Sequence, residues 1–321
     1  MPNIRGTANS SSRGIALSLV AKLLRSYLRT SLRGQTRLTS LLAHKLTCLQ
    51  AVPISIEDHA PLYVDLRVGD SRDLLKGTPW ESPPYEAEEQ NVMRSIVRSG
   101  SVAFDIGANI GLHTVLLSKL VGERGTVYAF EPNPALVLTL SRTIGGLGNA
   151  TLFPVALSDQ LLAATLFVPE DHSMASLTDW TKGRVEGKAH EVMCKTCRID
   201  DLIDCAAITQ PDFIKCDVEG AELKVFQGGS RTLDRVDAPI ILFEENIYTT
   251  RGFDLTASDA RDFLAGLAQP QYQFFEVKKG GRLVRSQSPH PVSANTIAVP
   301  RSKLSQLFES TLDISEELGE R

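Results

Sequence analysis

Acidic side chains follow short apolar runs at several places in the chain. Asp105 lies near the end of the run Val102–Ile106, and Glu131 directly follows the run Thr126–Phe130. Such runs are typical of parallel strands that are buried on both faces. Because ligands of a doubly wound sheet bind beyond the carboxyl ends of its strands, this pattern predicts that both carboxylates face one ligand site.

The turn after the first run indicates which kind of ligand this is. A dinucleotide site has the pattern Gly-x-Gly-x-x-Gly, whereas here Gly107 and Gly111 are four residues apart, with Asn109 between them. We expect these glycines to let the backbone come close to the ligand. A carboxylate at Asp105 would repel a phosphate but suits an ammonium or a sulfonium group. S-adenosylmethionine carries both cations, and its carboxylate could bind the free amides of a helix that begins at Leu112.

Glu131 is predicted to contact the ribose of that ligand. A Glu at this place can accept hydrogen bonds from both ribose hydroxyls and disfavours a 2′-phosphate. Pro132 keeps Glu131 extended. Asn133 is predicted to be the N-cap of the next helix, with Pro134 as its first residue, so that the carboxylate lies at a rigid corner.

A third apolar run carries charges in alternate positions. Within Asp212–Glu222, the residues Lys215, Asp217 and Glu219 alternate with apolar ones, so the period of two puts the three charges on one side. A buried charge without a partner is costly. Either Lys215 forms a structural ion pair with a carboxylate, or the group faces a wet cleft.

The next apolar run, Pro239–Phe243, is followed by Glu244 and Glu245. This run is also a predicted strand of the sheet. We expect both glutamates to reach the same edge as the charges of the preceding run.

The order of these motifs resembles that of FkbM-type methyltransferases, a family of S-adenosylmethionine-dependent O-methyltransferases, from about Tyr85 to Val299. The motifs that carry the resemblance are FDIGANIG, YAFEPNP, VALSD, CRIDDLI and, most specifically, IKCDVEGAE. The resemblance implies an α/β fold of the class I methyltransferase (Rossmann-like) type. Its doubly wound sheet would have seven strands, mostly parallel, with an antiparallel strand in Asn295–Val299.

The resemblance also implies roles for particular residues. The methionine end of the cofactor would be lined by Asp105, Gly107, Asn109 and Gly111. Glu131 would contact the ribose and Ala156 the adenine. Asp217 and Glu219 would lie near the transferred methyl group. The predicted cofactor-binding residues are Asp105, Gly107, Asn109, Gly111, Glu131, Asn133, Ala156 and Asp217.

Methyl transfer is an in-line displacement, so the protein mainly positions the reactants and excludes water. A carboxylate within hydrogen-bond reach could take the proton of an acceptor hydroxyl. The candidates are Asp217, Glu219 and Glu244, and Glu219 is favoured because Asp217 is expected to help hold the cofactor. The stretch His172–Lys188 should contribute to the acceptor pocket but indicates no particular ligand, so a sugar, a glycan or a secondary metabolite all stay open as acceptors.

Composition is that of a globular enzyme, with 321 residues of which 42% are hydrophobic and 22% charged. The first 50 residues contain eight Lys or Arg and no acid, which leaves an acidic remainder. An acidic body argues against nucleic acid as a substrate. No metal is expected, because the pair Cys194 and Cys197 lacks a second pair of ligands. Five cysteines predict a reducing, cytoplasmic location.

The sequence divides into four predicted regions. Residues 1–51 form a basic amphipathic arm, 52–95 a connecting or lid region, 96–300 the methyltransferase domain and 301–321 a polar C-terminal tail. No run in the arm reaches the roughly 18 apolar residues of a membrane span. Peripheral attachment to an anionic membrane, an organelle transit peptide, and a helical extension that packs on its own domain or on a partner all remain open for it.

Two other classes of protein are kept as alternatives to the methyltransferase. A nucleotide-dependent oxidoreductase is disfavoured by the missing Gly-x-Gly-x-x-Gly pattern. A catalytically silent cofactor-binding scaffold would bind the cofactor without turnover. The oligomeric state is not indicated by the sequence.

Overall fold

In the computed structural model of this chain, two compact units are formed by Met1–Pro84 and Tyr85–Arg321. The residues that the structure describes are 22–30, 33–54, 61–67, 69–77, 86–169, 174–179, 189–286, 293–309 and 314–316. The boundaries of the four predicted regions stay a prediction.

The first unit combines short helices with one antiparallel strand pair. Its elements are α1 (residues 22–28), α2 (Gln35–Lys45), β1 (Val52–Ile54), β2 (Leu62–Val64) and α3 (Gly69–Lys76). The strands pair from Val52 opposite Val64 to Ile54 opposite Leu62. Among the described residues, no helix is long and apolar enough to cross a bilayer.

The second unit contains the remaining strands and helices. Its strands are β3 (Val102–Ile106), β4 (Thr126–Phe130), β5 (Ala150–Phe153), β6 (Ala156–Leu157), β7 (Ala163–Val168), β8 (His190–Cys197), β9 (Phe213–Cys216), β10 (Ile240–Asn246), β11 (Gln273–Val277), β12 (Leu283–Arg285), β13 (Ser293–Val299) and β14 (Ile314–Glu316). Its helices are α4 (Ala87–Ile96), α5 (Leu112–Val121), α6 (Pro134–Ile144), α7 (Ile199–Asp204), α8 (Glu222–Gly228), α9 (Ser230–Leu233), α10 (Ile247–Thr250), α11 (Asp259–Ala265) and α12 (Leu304–Glu309).

A nine-stranded sheet in the order β14-β12-β11-β13-β10-β9-β3-β4-β5 forms the centre of this unit. The strands from β10 to β5 are parallel, and β13 is antiparallel to both β10 and β11. This confirms the mostly parallel Rossmann-like sheet, with the antiparallel strand where it was predicted. The sheet has two strands more than the predicted seven, because β12 and β14 extend its edge beyond β11.

Helices cover both faces of the sheet, and neighbouring residues of one strand show this directly. Ala129 of β4 packs with Leu140 and Ile144 of α6. The next residue, Phe130, belongs to the large core and makes an edge-to-face contact with Phe104 of β3, at 5.6 Å between ring centroids. Burial on both faces explains why these strands are continuous apolar runs instead of alternating ones.

The C-terminal residues that the structure describes take part in this unit. Helix α12 buries Leu307 completely, and β14 pairs in parallel with β12. These segments lie within the predicted polar tail, residues 301–321, and they are ordered parts of the fold.

Gly107 lies at the end of β3, where two backbone segments nearly touch. Its φ is 78°, and a Cβ placed on it would lie 1.8 Å from the carbonyl oxygen of Asp217. Gly100 has a similar φ of 88°, but a Cβ there would meet nothing within 4 Å. The two glycines therefore have similar φ angles but differ in the space available to a Cβ atom.

We expect Gly107→Ala to lower the free energy of unfolding by about 3 kcal/mol or more, because strain of about 1–2 kcal/mol from the left-handed φ adds to a backbone clash. Gly100→Ala should show only the strain. Thermal and urea unfolding of the two variants measures the difference. Equal losses in the two variants would show that the contact with Asp217 imposes no constraint.

Candidate active site

The turn after β3 is bound to the end of β4 by backbone hydrogen bonds. The amides of Gly107 and Ala108 both donate to the carbonyl of Phe130, at 3.0 Å each. Asn109 has a left-handed φ of 53°, and its amide donates to Oε2 of Glu131 at 2.9 Å. The turn and Glu131 therefore form one rigid corner of the sheet.

The glycines of this turn are required by contacts within the protein. A Cβ at Gly111, the N-cap of α5, would lie 2.7 Å from Cδ1 of Leu140 and 3.2 Å from Cγ2 of Thr143, both in α6. Gly107 is crowded by Asp217, as described above. Contacts within the protein therefore account for both glycines, and their predicted contact with a cofactor stays a prediction.

Asp105 is completely buried in β3 and has one oxygen without a donor. Its Oδ2 accepts a hydrogen bond from Oγ1 of Thr114 at 2.5 Å, whereas Oδ1 has no hydrogen-bond partner among the described residues. Burial raises the pKa of this carboxyl, against the opposite effect of Lys215 on the adjacent strand. A buried oxygen without a donor is costly, so this atom fits a donor supplied by a ligand.

Both oxygens of Glu131 are held by backbone amides, from Asn109 and, at 2.8 Å, from Asn133. Burial outweighs these bonds and raises its pKa to about 7. Asn133 caps α6 through its Oδ1, which accepts from Ala135 N at 3.1 Å, and Pro134 begins the helix, so the predicted N-cap is confirmed. The buried Nδ2 of Asn133 has no partner among the described residues.

Lys215 is the buried cation of the site. Its Nζ lies 3.1 Å from Oδ2 of Asp217, and its side chain is only 8% exposed. Burial alone would lower its pKa, but Asp217, Asp105 and Glu86 outweigh burial and raise it. Lys215 therefore stays charged at neutral pH.

A cavity of about 180 Å³ opens at the carboxyl ends of β9 and β10. The predicted catalytic residues Asp217, Glu219 and Glu244 all line it. Its full lining is Glu86, Glu89, His113, Lys215, Cys216, Asp217, Glu219, Leu242, Phe243, Glu244 and Asn295. Lys215 thus forms an ion pair and also faces a cleft, so the two interpretations left open by the sequence hold together.

Glu245 does not join this cavity, and the expectation that it reaches the same edge as Glu244 is wrong. Its Oε2 accepts from Oγ1 of Thr296 at 2.5 Å and lies 3.6 Å from Nη1 of Arg261. The reason is that β10 continues to Asn246, so strand alternation sends the two glutamates to opposite faces.

Glu219 reaches the cavity through a turn, since β9 ends at Cys216. Its φ is 53°, and its backbone carbonyl accepts from Oγ of Ser176 at 2.8 Å. The turn is further fixed by the buried Glu222, whose Oε1 accepts from Val218 N at 3.0 Å. Burial, followed by the charges of Asp217, Glu244 and Glu222, raises the pKa of Glu219 to about 9.

Helix α4 supplies residues that the sequence motifs did not identify, and one of them lies beside His113 at the start of α5. Oε2 of Glu86, the N-cap of α4, lies 3.1 Å from Nε2 of His113. Burial raises the pKa of Glu86 to about 8, and burial together with Lys215 lowers that of His113 well below its usual value. Glu89 accepts a hydrogen bond from Nδ2 of Asn295. The sequence does not indicate that α4 contacts His113 or Asn295, because these residues come together only in the folded chain.

The predicted cofactor-binding residues lie mostly beside this cavity, not around it. Of that group, only Asp217 lines it. Ala156 pairs with Thr196 in a three-stranded sheet of β6, β8 and β7, and it packs in the same cluster as Cys194. Burial, followed by the charge of Glu131, raises the pKa of the Cys194 thiol. The roles of these residues toward a cofactor stay predictions.

The strand order and this cavity define a class I methyltransferase fold with a polar site at the carboxyl edge of its sheet. The chain belongs to the FkbM methyltransferase domain family, whose match covers residues 105–274, just over half of the chain. This confirms the resemblance, which is to a family of S-adenosylmethionine-dependent methyltransferases.

Two curated relatives are also methyltransferases. The hexuronic acid methyltransferase AglP of Haloferax volcanii is 29% identical over 156 residues, 48% of this chain and 61% of the relative. The 2-O-methyltransferase NoeI of Sinorhizobium fredii is 26% identical over 182 residues, 51% of this chain and 71% of the relative. The chain thus spans about three fifths of the length of the first of these relatives.

Two solved methyltransferase structures match this chain at lower identity. An rRNA methylase of Streptococcus thermophilus has a TM-score of 0.37 at 10% identity, covering 66% of this chain and 93% of that one. An O-methyltransferase of Thermotoga maritima has a TM-score of 0.34 at 13% identity, covering 68% of this chain and 65% of that one. The fold of the present chain is established by its own strand order.

We expect the ligand-free protein to lose stability as the pH rises from about 5 to 9. The pKa values of Glu131, Glu222 and Glu219 are raised to about 7, 8 and 9, so the folded state holds protons that the unfolded state has lost. This stabilisation is complete below the unfolded pKa and disappears as the pH passes the folded pKa. The lowered pKa of His113 acts in the opposite sense, below about pH 6.5.

Thermal unfolding measured across this pH range tests the expectation. Glu219→Gln should flatten the decline at its alkaline end, because the amide has no proton to lose. Glu123→Gln, an exposed loop substitution, is the matched control and should leave the profile unchanged. A profile that is flat in the wild type would contradict the raised pKa values.

Proposed function

We propose that this protein transfers a methyl group from S-adenosylmethionine to a hydroxyl of a neutral sugar, free or within a glycan, or of a similarly hydroxylated small molecule. The observation that carries the proposal is the cavity of carboxylates around Lys215, which adjoins the turn after β3. Family membership supports the methyl transfer, and the activities of the two relatives support a sugar-like acceptor.

Unpaired buried groups of the chain fit the cofactor. The free Oδ1 of Asp105 would accept a hydrogen bond from an ammonium group, and the backbone amides at the start of α5, which has no side-chain cap, would receive a carboxylate. Glu131, fixed by two amides, would face the ribose. When bound, S-adenosylmethionine supplies a methyl group on a positively charged sulfur.

Glu219 is the proposed base. With a pKa of about 9 it is protonated at neutral pH in the free protein, mainly because it is buried and lies close to other acids. A positive charge in the adjoining site would favour the ionised carboxylate and lower this pKa. Glu219 would then accept the hydroxyl proton of the acceptor as the new carbon–oxygen bond forms. Lys215 and Asp217 would hold the surrounding charges in place.

The lining of the cavity supports a neutral acceptor. Five carboxyl groups line it, those of Glu86, Glu89, Asp217, Glu219 and Glu244, whereas Lys215 is already paired. Burying a further carboxylate on the acceptor beside them would be costly, because it would have to share Lys215 with Asp217. Hydroxyl groups can donate to carboxylates and to the neutral imidazole of His113. The volume of about 180 Å³ is below the roughly 300–1,000 Å³ of common ligand pockets, so it fits one ring or less.

We expect Asp105→Asn to weaken S-adenosylmethionine binding about 10- to 100-fold, because the mutation removes a charged hydrogen-bond acceptor at the ammonium group. Calorimetric titration with S-adenosylmethionine, S-adenosylhomocysteine and NADH measures this effect. Asp254→Asn, in an exposed turn, is the matched control. Binding of NADH alone would favour the oxidoreductase instead.

We expect Glu219→Gln to lower kcat about 100-fold or more while changing the Kd for S-adenosylmethionine little, because the amide cannot take up a proton. Glu244→Gln is the comparison variant and should have the smaller effect. Transfer of a deuterated methyl group to neutral hexosides, followed by mass spectrometry, measures turnover.

Three results would change the proposal. A larger loss in Glu244→Gln than in Glu219→Gln would move the base to Glu244. Uronic acid glycosides that react better than neutral ones would overturn the proposed acceptor class. Tight cofactor binding with no turnover on any hydroxylated acceptor would favour the silent scaffold.

A further inference from the structure

Helix α2 in the first unit has an apolar face that is open to solvent. Leu38, Leu41 and Leu42 are 47%, 62% and 37% exposed, and Leu46, directly after the helix, is 48% exposed. Their spacing of three and four residues places them in one stripe along the helix. The adjoining face of the helix is buried through Thr39 and Ala43, whereas the leucines point outward.

Cations surround this stripe. Arg37 and Lys45 lie four residues before and after Leu41, so the three form one row beside the other leucines, and both cations are exposed. The first 50 residues contain eight Lys or Arg and no acid, whereas the rest of the chain holds all 38 acids. The charge of this face therefore complements an anionic surface.

A cavity of about 360 Å³ lies beside the stripe. It is lined by Arg37, Ser40, Leu41 and Arg72, so two guanidinium groups and a hydroxyl meet one leucine of the stripe. Nη1 of Arg72 donates to the carbonyls of Leu66 and Arg67, at 2.9 Å each. Its Nε is buried and has no hydrogen-bond partner among the described residues. The guanidinium groups of Arg37 and Arg72 and the hydroxyl of Ser40, which line this cavity, fit a phosphate group.

We propose that this face docks on a membrane surface of anionic phospholipid. The cavity of Arg37 and Arg72 takes a headgroup phosphate, and the leucine stripe enters the boundary between headgroups and acyl chains. Lys45 lies among the leucines and can extend its ammonium group to the headgroups while its methylene groups stay in apolar surroundings. A helix of this kind lies in the interface and does not span the bilayer.

Flotation of the full-length protein with lipid vesicles tests the proposal. We expect binding to phosphatidylcholine vesicles that contain phosphatidylglycerol, little binding to phosphatidylcholine alone, and weaker binding at about 1 M salt. Leu38→Ser/Leu41→Ser should weaken binding more than tenfold, because two exposed leucines lose their burial in lipid. Arg37→Gln/Arg72→Gln should weaken it about tenfold and remove most of the salt dependence.

Matched control variants lie in the second unit. Leu138 and Leu161 are exposed leucines, 70% and 67% respectively, and Arg142 is an exposed arginine. Leu138→Ser/Leu161→Ser and Arg142→Gln should bind vesicles as the wild type does. Circular dichroism and sedimentation velocity of every variant establish folding and oligomeric state.

Two outcomes would overturn the proposal. The first is wild-type protein that is folded and does not float with anionic vesicles. The second is a leucine variant that floats as the wild type does. If the wild type fails to float and Leu38→Ser/Leu41→Ser converts a dimer to a monomer, the stripe is an interface with a second copy of this chain.

Discussion

The charge of Lys215 is the feature on which the site depends. Parallel strands bring the ends of β3, β9 and β10 to one edge, and each of them delivers a carboxyl group there. Without a buried cation, still more of these acids would have to be protonated or exposed to water, because burial disfavours their charged forms. Lys215 lies on β9, between β3, which carries Asp105, and β10, which carries Glu244. The ion pair is therefore the centre of the polar site and not a peripheral stabilising contact.

The backbone contact between Gly107 and Asp217 makes this arrangement rigid. The turn that follows β3 lies against the carbonyl of Asp217, and the amide of Asp217 donates to the carbonyl of Ile106 at 3.0 Å. The predicted cofactor corner and the carboxylate cavity therefore cannot move apart without opening the sheet. Glu222 adds to this rigidity from the other side by binding the amide of Val218. Positions of reacting groups matter to fractions of an ångström in methyl transfer, and close backbone packing is the most direct way for a fold to fix them.

Local signals in the sequence predict the centre of the fold well. The bounds of β3 and β4, the start of α5 at Leu112 and the cap at Asn133 all follow from apolar runs and from capping chemistry that acts over a few residues. Side-chain direction at strand ends was harder to predict, as Glu244 and Glu245 show, because it depends on where the strand stops. Glu86 and His113 meet only through packing of α4 on α5, and the added strands β12 and β14 depend on pairing partners that lie far apart in the sequence.

The raised pKa values of the cavity have a consequence for the proposed reaction. A methyl transfer from a sulfonium to a hydroxyl removes one positive charge from the cofactor and leaves one proton to be placed. Glu219, whose pKa is about 9 in the absence of the cofactor, would take that proton and keep it at neutral pH. The net charge of the cavity and the bound cofactor together is then the same after the transfer as before it. A cluster of acids that is costly to ionise without the cofactor therefore suits this reaction. The sulfonium favours the ionised carboxylate before the transfer, and its loss favours the protonated carboxyl group afterwards.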